Sequence, residues 1–173
     1  EILSGLVGSE MCIRDRYLDE LADDLTQTDT SIQTGNVMAD AVLNSKLSVA
    51  EQKSIQLNVK AHIPKGIEMT DVEMCSVLGN LLDNAIEACE KLPCDKRFLR
   101  VYIDKFKGQF YLSVQNSSPS IQRDKGIFRT TKAGTHGFGL FRIDRIAKKY
   151  GGYVNRQYEE GVFATELLLP LSG

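Results

Sequence analysis

Leu78-Gly79-Asn80-Leu81-Leu82-Asp83-Asn84-Ala85-Ile86-Glu87-Ala88 is the stretch on which the fold turns. It sits inside the strongest helical signal of the chain, Asp71 to Leu92, where Cys75, Leu78, Leu82, Ala85 and Cys89 repeat at three- and four-residue steps. That repeat puts one apolar stripe toward a core. Pro93 follows, as proline often does just past a helix end. The polar residues are ordered too: Ser76, Asn80, Asn84 and Glu87 form a second stripe at helical spacing. Asparagine is a mediocre helix former, and a solvated face ordinarily carries Lys and Glu. Two readings of the stripe are open. It is either plain surface, or a row of amide oxygens offered to a hard divalent cation such as magnesium beside substrate phosphates.

Working outward, Thr34-Gly35-Asn36 breaks the chain, with Asn36 as an N-cap for a helix over Val37 to Gln52. The apolar face expected for that helix is Val37, Ala41, Val42, Leu47 and Val49. Ile55 to Ala61 alternates with period two and reads as a strand, followed by a turn at Pro64-Lys65-Gly66. Past the long helix, Arg100 to Asp104 and Phe110 to Val114 read as strands joined around Lys107-Gly108. A polar stretch without periodicity follows, from Gln115 to His136, and a loop of that length is usually functional. A helix over Leu140 to Tyr150 closes on Gly151-Gly152. A last hairpin pairs Tyr153 to Tyr158 with Val162 to Leu169. This order predicts an α/β sandwich with one mixed sheet.

Composition narrows the function. The 173 residues are 42% hydrophobic and 25% charged, as in an ordinary globular domain with a core. A net charge of −2 gives no global basic field for nucleic acid. No apolar run is long enough to cross a bilayer. Four cysteines beside His62 and His136 make neither a disulfide framework nor a zinc site, and reduced cytoplasmic thiols are expected. Residues 1–16, including Leu6 to Arg16, resemble an in-frame translation of a sequencing-library adapter and are set aside from fold reasoning. On that expectation Cys12 is incidental and the chain is a fragment. Tyr17 to Leu25 then reads as an amphipathic helix.

Two further constellations carry chemistry. Gly134-Thr135-His136-Gly137-Phe138-Gly139-Leu140 opens a helix, where bare N–H groups and the helix dipole favour an anion. Glycines also simply make turns, and that reading stays open beside it. The preceding loop is locally basic, with Arg123, Lys125, Arg129 and Lys132 against Asp124. It reads as a lid over a polyphosphate or as a solvated surface loop. Asn116-Ser117-Ser118-Pro119-Ser120-Ile121 stands directly after a strand, either as a terminating turn or as a short polar group able to bond a base edge.

Together these pieces resemble the GHKL ATPase superfamily, which includes gyrase B, MutL and the sensor histidine kinases. The stretch Leu78 to Ala88 resembles its N-box, and Gly137-Phe138-Gly139-Leu140 its second glycine box. Phe128-Arg129-Thr130-Thr131-Lys132 sits where such kinases carry a phenylalanine box in the ATP lid. Thr34-Gly35-Asn36, Leu43-Asn44-Ser45-Lys46, Asn116 and the run from His136 to Leu140 are similar to a narrower branch, the Gram-positive quorum-sensing kinases that signal to LytTR-type response regulators. The resemblance covers about Thr34 to Pro170. It implies a two-layer Bergerat-type sandwich, its mixed sheet covered on one face by helices. Residues 34–173 would be the ATP-binding catalytic domain and residues 17–33 the tail of a dimerisation helix.

The resemblance also implies roles. Asn84 would coordinate a magnesium ion bridging the ATP phosphates, and Asn80 would line the same pocket. Gly137, Gly139 and Leu140 would wrap the phosphates, with Phe138 in the same box. Thr131, Lys132 and His136 would belong to the lid. Asn116 stands where most of the superfamily has an aspartate accepting from the adenine amino group, and a neutral acceptor is weaker. Ser118 and Ser120 replace the glycines of the first glycine box, and Glu87 replaces a basic residue facing phosphate. Asn80 occupies the position of a glutamate in ATP-hydrolysing members, which argues against hydrolysis by water. Neither His62 nor His136 matches a phosphoacceptor, so that histidine is expected on a dimerisation domain upstream. The partners implied are ATP, that domain, a homodimeric partner copy and, indirectly, a LytTR-type regulator. The domain is expected in the cytoplasm, with the full-length protein anchored in the cell membrane. An anti-sigma-type serine kinase, a non-catalytic nucleotide-sensing or partner-binding module, and an unrelated structural α/β domain are the alternatives.

Overall fold

The computed structural model describes residues 31–119 and 136–172, with the backbone alone for 136–138. The adapter-like residues 1–16, the helix expected from Tyr17, and the lid residues Arg123 to Lys132 lie outside the described residues. The elements in order are α1 (Val37–Gln52), β1 (Gln56–Ala61), α2 (Asp71–Glu90), a short 3-10 turn (Cys94–Lys96), β2 (Phe98–Phe106), β3 (Gln109–Ser117), α3 (His136–Lys149), β4 (Tyr153–Glu159) and β5 (Val162–Pro170). The described strands form one sheet in the order β1-β2-β3-β5-β4. β1 runs parallel to β2, and the other neighbours pair antiparallel. Parallel pairing demands a crossover, and α2 supplies it. Leu99, Val101 and Ile103 of β2 are buried while Arg100 and Tyr102 between them are exposed, so helices cover one face of the mixed sheet as expected. Among the described residues no helix is long and apolar enough to cross a membrane.

Local chemistry explains where the helices begin. Asn36 caps α1, its side-chain oxygen accepting from Ala39 N at 3.0 Å, and its amide nitrogen donates to Asp71 Oδ1 at 2.8 Å. Thr34 is buried and donates to Asp40 Oδ1 through both its backbone N–H and its hydroxyl. Gly35 between them sits at φ +96°, where a side chain would be strained. Ile32 also packs on the core, and its backbone is held at both polar atoms by Asn44. Thr70 and Glu73 form a reciprocal capping box at the start of α2. Arg97 closes the other end of the layer, donating to Leu92 O at 2.8 Å, Glu90 O at 3.2 Å and Lys53 O at 2.7 Å. One guanidinium thus satisfies carbonyls at the ends of both α1 and α2.

The core is continuous across these elements. Val77, Leu78 and Leu82 of α2 are fully buried against Leu99, Ile103 and Leu112 of the sheet. Each such burial contributes about 1.5–3 kcal/mol relative to exposure, more than the ~1 kcal/mol of a cap. Two hairpin turns have paired positive φ angles, Lys107-Gly108 at 49° and 76° and Glu160-Gly161 at 47° and 84°. These are the turns whose twist suits antiparallel strands.

Three expectations need correction. The buried face of α1 is Ala39, Leu43, Leu47 and Ala50; Val37, Ala41 and Val49 are exposed and Val42 is half-buried. Leu43 and Leu47 set the helix phase, and two small alanines, rather than the bulkier valines, fill the close approach. β3 continues through Gln115, Asn116 and Ser117, because the ladder with β2 and β5 outlasts the apolar pattern. α3 begins at His136, four residues before Leu140, so both glycines of its opening lie within its first turn.

Gly152 joins α3 to β4 under severe crowding. A Cβ there would lie 2.0 Å from Leu168 O and 2.6 Å from Leu169 Cδ2. Backbone cannot yield as a side chain does, so Gly152→Ala is expected to cost about 1–3 kcal/mol. Urea unfolding monitored by circular dichroism checks this; an unchanged midpoint would mean that the junction relaxes freely.

Candidate functional site

The asparagine stripe of α2 lies at the boundary between core and solvent. Leu78, Leu81, Leu82 and Ala85 are buried, while Ser76, Asn80, Asn84 and Glu87 are half-buried along the neighbouring edge. Another charged motif residue, Asp83, turns the other way and pairs with Lys46 of α1 at 2.7 Å. A single helical segment therefore packs a core, ties to α1, and presents amides along a third face. Asn80 Nδ2 donates to Ser76 Oγ at 3.4 Å. Among the described residues the Asn84 amide makes no hydrogen bond.

α3 brings the second constellation to that edge. A Cβ built on Gly139 would lie 3.3 Å from both Cγ and Oδ1 of Asn80. Few real contacts are that tight, so a side chain at Gly139 would require Asn80 to shift by a few tenths of an ångström. The N–H groups of a helix's first turn have no intrahelical partner. Here that turn runs His136, Gly137, Phe138, Gly139, with Gly139 beside the Asn80 amide. From beneath, Arg156 of β4 donates to Leu140 O at 3.4 Å and pairs with Asp144 at 2.9 Å. Sequence reasoning missed Arg156, which reads as an ordinary strand residue.

Asn116 occupies the penultimate position of β3 rather than a loop after it, and is only 3% exposed. It pairs across the ladder with buried Leu99, on the side of the sheet that the helices cover. Its Nδ2 donates to Ser117 O at 2.9 Å, and among the described residues no donor is bonded to its Oδ1. The strand end is pinned by Cys89 of α2, whose thiol reaches Phe98 O at 3.3 Å and Ser117 O at 3.6 Å. Ser117 Oγ in turn accepts from Phe98 N at 3.0 Å. Burial pushes the Cys89 thiol pKa up, which keeps it protonated and inert. Cys75, expected in the core with it, is half-buried. Ser118 is buried and donates its N–H to Gly161 O at 2.8 Å.

The predicted residues thus divide. Asn80 and Gly139 meet at the α2–α3 edge, Asn84 lies one turn further along α2 and Leu140 follows Gly139 in α3, and Asn116 stands on the sheet beneath the same helical layer. His136, Gly137 and Phe138 contribute the backbone of the first turn of α3. Thr131 and Lys132 lie outside the described residues. Among the described residues no three His, Cys, Asp or Glu side chains gather to hold a metal.

Glu73 was also missed, although Thr70-x-x-Glu73 is a readable capping signature. Its carboxylate accepts from Lys149 Nζ at 2.6 Å, from the Tyr150 hydroxyl through a short bond, and from Thr70 N at 3.1 Å. The end of α3 is thereby tied to the start of α2. No local pattern announces partners 76 and 77 residues away.

A family model described as a GHKL domain matches residues 68–170. Over 162 residues the chain is 24% identical to the sensor histidine kinase NatK of Bacillus subtilis, covering 89% of this chain and 51% of NatK. Over 113 residues it is 29% identical to the sensor histidine kinase DcuS of Escherichia coli, covering 62% of this chain and 20% of DcuS. The chain therefore spans about half or less of these relatives. Among solved structures, the nucleotide-free catalytic domain of histidine kinase ThkA superposes with a TM-score of 0.64 at 22% identity, covering 81% of this chain and 96% of that domain. The histidine kinase AdeS of Acinetobacter baumannii superposes at 0.60 and 16% identity, over 100% and 80%. The fold is the one that these catalytic domains share.

The Glu73 cluster makes a pH prediction. The Lys149 ammonium and the Tyr150 hydroxyl hold the Glu73 pKa at about 2, below its ordinary 4.5. A carboxylate with a depressed folded pKa contributes stability above its unfolded pKa and loses it as pH falls toward the folded value. The stability gap between the unaltered chain and Glu73→Gln should be constant down to about pH 4.5 and shrink toward about pH 2. Denaturant titrations across that range check this, and a gap that widens in acid contradicts it.

Proposed function

This chain belongs to the GHKL domain family, and we propose that it is the ATP-binding catalytic domain of a two-component sensor histidine kinase. It binds Mg-ATP and presents the γ-phosphoryl to a histidine held on a dimerisation domain. The observation that carries this reading is the contact between Gly139 and Asn80, which joins the bare start of one helix to the amide stripe of another. The names of the relatives support it, since NatK, DcuS and ThkA are all histidine kinases.

The residues present fit such a ligand. A Cβ at Gly139 would press on the Asn80 side chain, and the first turn of α3 offers unpaired N–H donors to an anion. Asn80 and Asn84 carry neutral oxygens, the donor type that suits magnesium shared with phosphates. In this reading Asn84 holds the metal and Asn80 lines the cavity. Gly137, Gly139 and Leu140 wrap the phosphates with Phe138 in the same box, and Thr131, Lys132 and His136 cover them. Asn116 Oδ1 accepts from the exocyclic amine of the base, because its own amide nitrogen is occupied by Ser117 O. Magnesium, when bound, would offset charge on the transferring phosphoryl group, and catalysis otherwise rests on positioning. The finer assignment is to the branch that signals to LytTR-type regulators, with a homodimeric, membrane-anchored full-length protein. Its support is the Thr34-Gly35-Asn36 turn, the Leu43-Asn44-Ser45-Lys46 stretch, the Asn116 box and the run from His136 to Leu140.

Calorimetric titration with ATP, with and without magnesium, tests the reading, together with phosphoryl transfer to a supplied dimerisation domain. Magnesium-dependent binding is expected, and an unaltered chain that binds no ATP overturns it. Binding without transfer would favour a nucleotide sensor. Asn84→Ala is expected to abolish the magnesium dependence. Asn84→Asp adds charge beside the phosphates and should not rescue it; tighter ATP binding in that variant contradicts the metal role. Gly139→Val should weaken ATP binding by at least about ten-fold, about 1.4 kcal/mol, while the far-ultraviolet circular dichroism stays unchanged.

A further inference from the structure

We propose that Glu73 is a positioning residue for the nucleotide site, acting through Tyr150 and Lys149 to set where the start of α3 lies along α2. The inference rests on the functional reading above and deepens it, by naming a residue that touches no ligand but aligns the two helices that do.

The two helices run antiparallel along their contact. Glu73 in the first turn of α2 meets Lys149 and Tyr150 at the end of α3. Asn80, seven residues further along α2, meets Gly139, eleven residues before Tyr150. At 1.5 Å per residue these spans are about 10 and 16 Å, and the long Glu73 and Tyr150 side chains bridge the difference. Between the two ends α3 buries Ile143 and Ala147 in the apolar core that α2 shares. Apolar burial is non-directional and sets separation rather than register. The carboxylate is directional. It receives an ammonium from Lys149, the last residue of α3, and a hydroxyl from Tyr150 directly after it, and is oriented by the backbone N–H of Thr70, its own helix cap. A pKa near 2 keeps it ionised wherever the protein works.

The clamp acts on one half of the ligand. The phosphates would lie against Gly139 and the asparagine stripe, so a shift of α3 along α2 moves their donors. Asn116 stands on β3 and donates to Ser117 O, which the Cys89 thiol also reaches, so the base-contacting group does not depend on α3. Arg156 still fastens α3 to β4 through Leu140 O and Asp144 when Glu73 is neutralised. Loss of the clamp should therefore leave α3 on the sheet and alter its alignment with α2.

The test uses Glu73→Gln, which can keep the bond to Thr70 N but loses the charge, and Tyr150→Phe, which removes only a hydroxyl. Binding of Mg-ATP and of AMP is measured by calorimetry for each variant and for the pair. Each single variant should weaken Mg-ATP by about ten-fold, as expected for a lost charge-assisted bond, and the double variant should be no worse than the weaker single. AMP affinity should change by less than about two-fold, because AMP lacks the outer phosphates. A merely structural role would weaken both ligands together. Equal weakening of both, or folded variants that bind Mg-ATP like the unaltered chain, overturns the proposal. Should Glu73→Gln fail to fold, Tyr150→Phe decides alone. Failure of the functional reading is distinguishable, since it appears in the unaltered chain as an absence of Mg-ATP binding.

Discussion

The approach of α3 to α2 at Gly139 is the constraint on which the site depends. Helix pairs ordinarily keep their axes 8–10 Å apart because side chains intervene. The absence of a side chain at Gly139 lets the backbone of one helix come close to a side-chain amide of the other, with an ideal Cβ only 3.3 Å from Asn80. The fold elsewhere prepares this contact. Leu78 and Leu82 seat α2 on the sheet, Gly152 admits α3 against β5, and Arg156 holds α3 from below. Each would be an ordinary packing detail in isolation. Together they bring unpaired main-chain donors beside neutral oxygen ligands, a combination that suits a metal-bound polyphosphate better than either group alone.

Most of this edge is neutral. Asn80, Asn84, Ser76 and Asn116 are polar and uncharged, Glu87 is the charged member of the stripe, and the ion pairs Lys46–Asp83, Lys149–Glu73 and Arg156–Asp144 are made by other residues. Fixed negative charge beside phosphates would repel the ligand, and fixed positive charge would compete with magnesium. Amides orient a charged ligand without either cost. They also need their own geometry set by bonds elsewhere, as when the Asn116 nitrogen is occupied by Ser117 O and Asn80 leans on Ser76. The Cys89 thiol belongs to this support and not to the chemistry, since burial keeps it protonated.

What was legible in the sequence was periodic or local. The α2 helix, both hairpins, the Asn36 cap and the mixed sheet follow from spacing and turn residues that act within a few positions. The α1 face was misread because three valines outweigh two alanines in hydrophobicity, whereas Ala39 and Ala50 fit a close helix contact and Val37 and Val49 do not. The end of β3 was misread because Asn116 and Ser117 are poor strand formers that tertiary pairing on both sides holds extended. Of the candidate site, Asn80, Asn84 and Gly139 were readable as motif members. Glu73, Arg156 and Tyr150 were not, because each acts through a partner on another element.

The division between readable and hidden residues follows the division of labour in the site. Groups that would face the ligand must be of particular chemical types, so they stand out as unusual choices: asparagine within a helix, glycine at a helix start. Groups that hold those residues in place need only reach a partner, and a glutamate, an arginine or a tyrosine does so without looking unusual. Phosphoryl transfer asks a protein mostly for placement. On the proposed function, a domain of this kind depends on contacts such as Glu73 to Tyr150, which fix how two helices are aligned and carry no chemistry of their own. That makes the alignment of α2 and α3, more than the identity of any one ligand-facing side chain, the property that distinguishes a working site from an assembly of matching motifs.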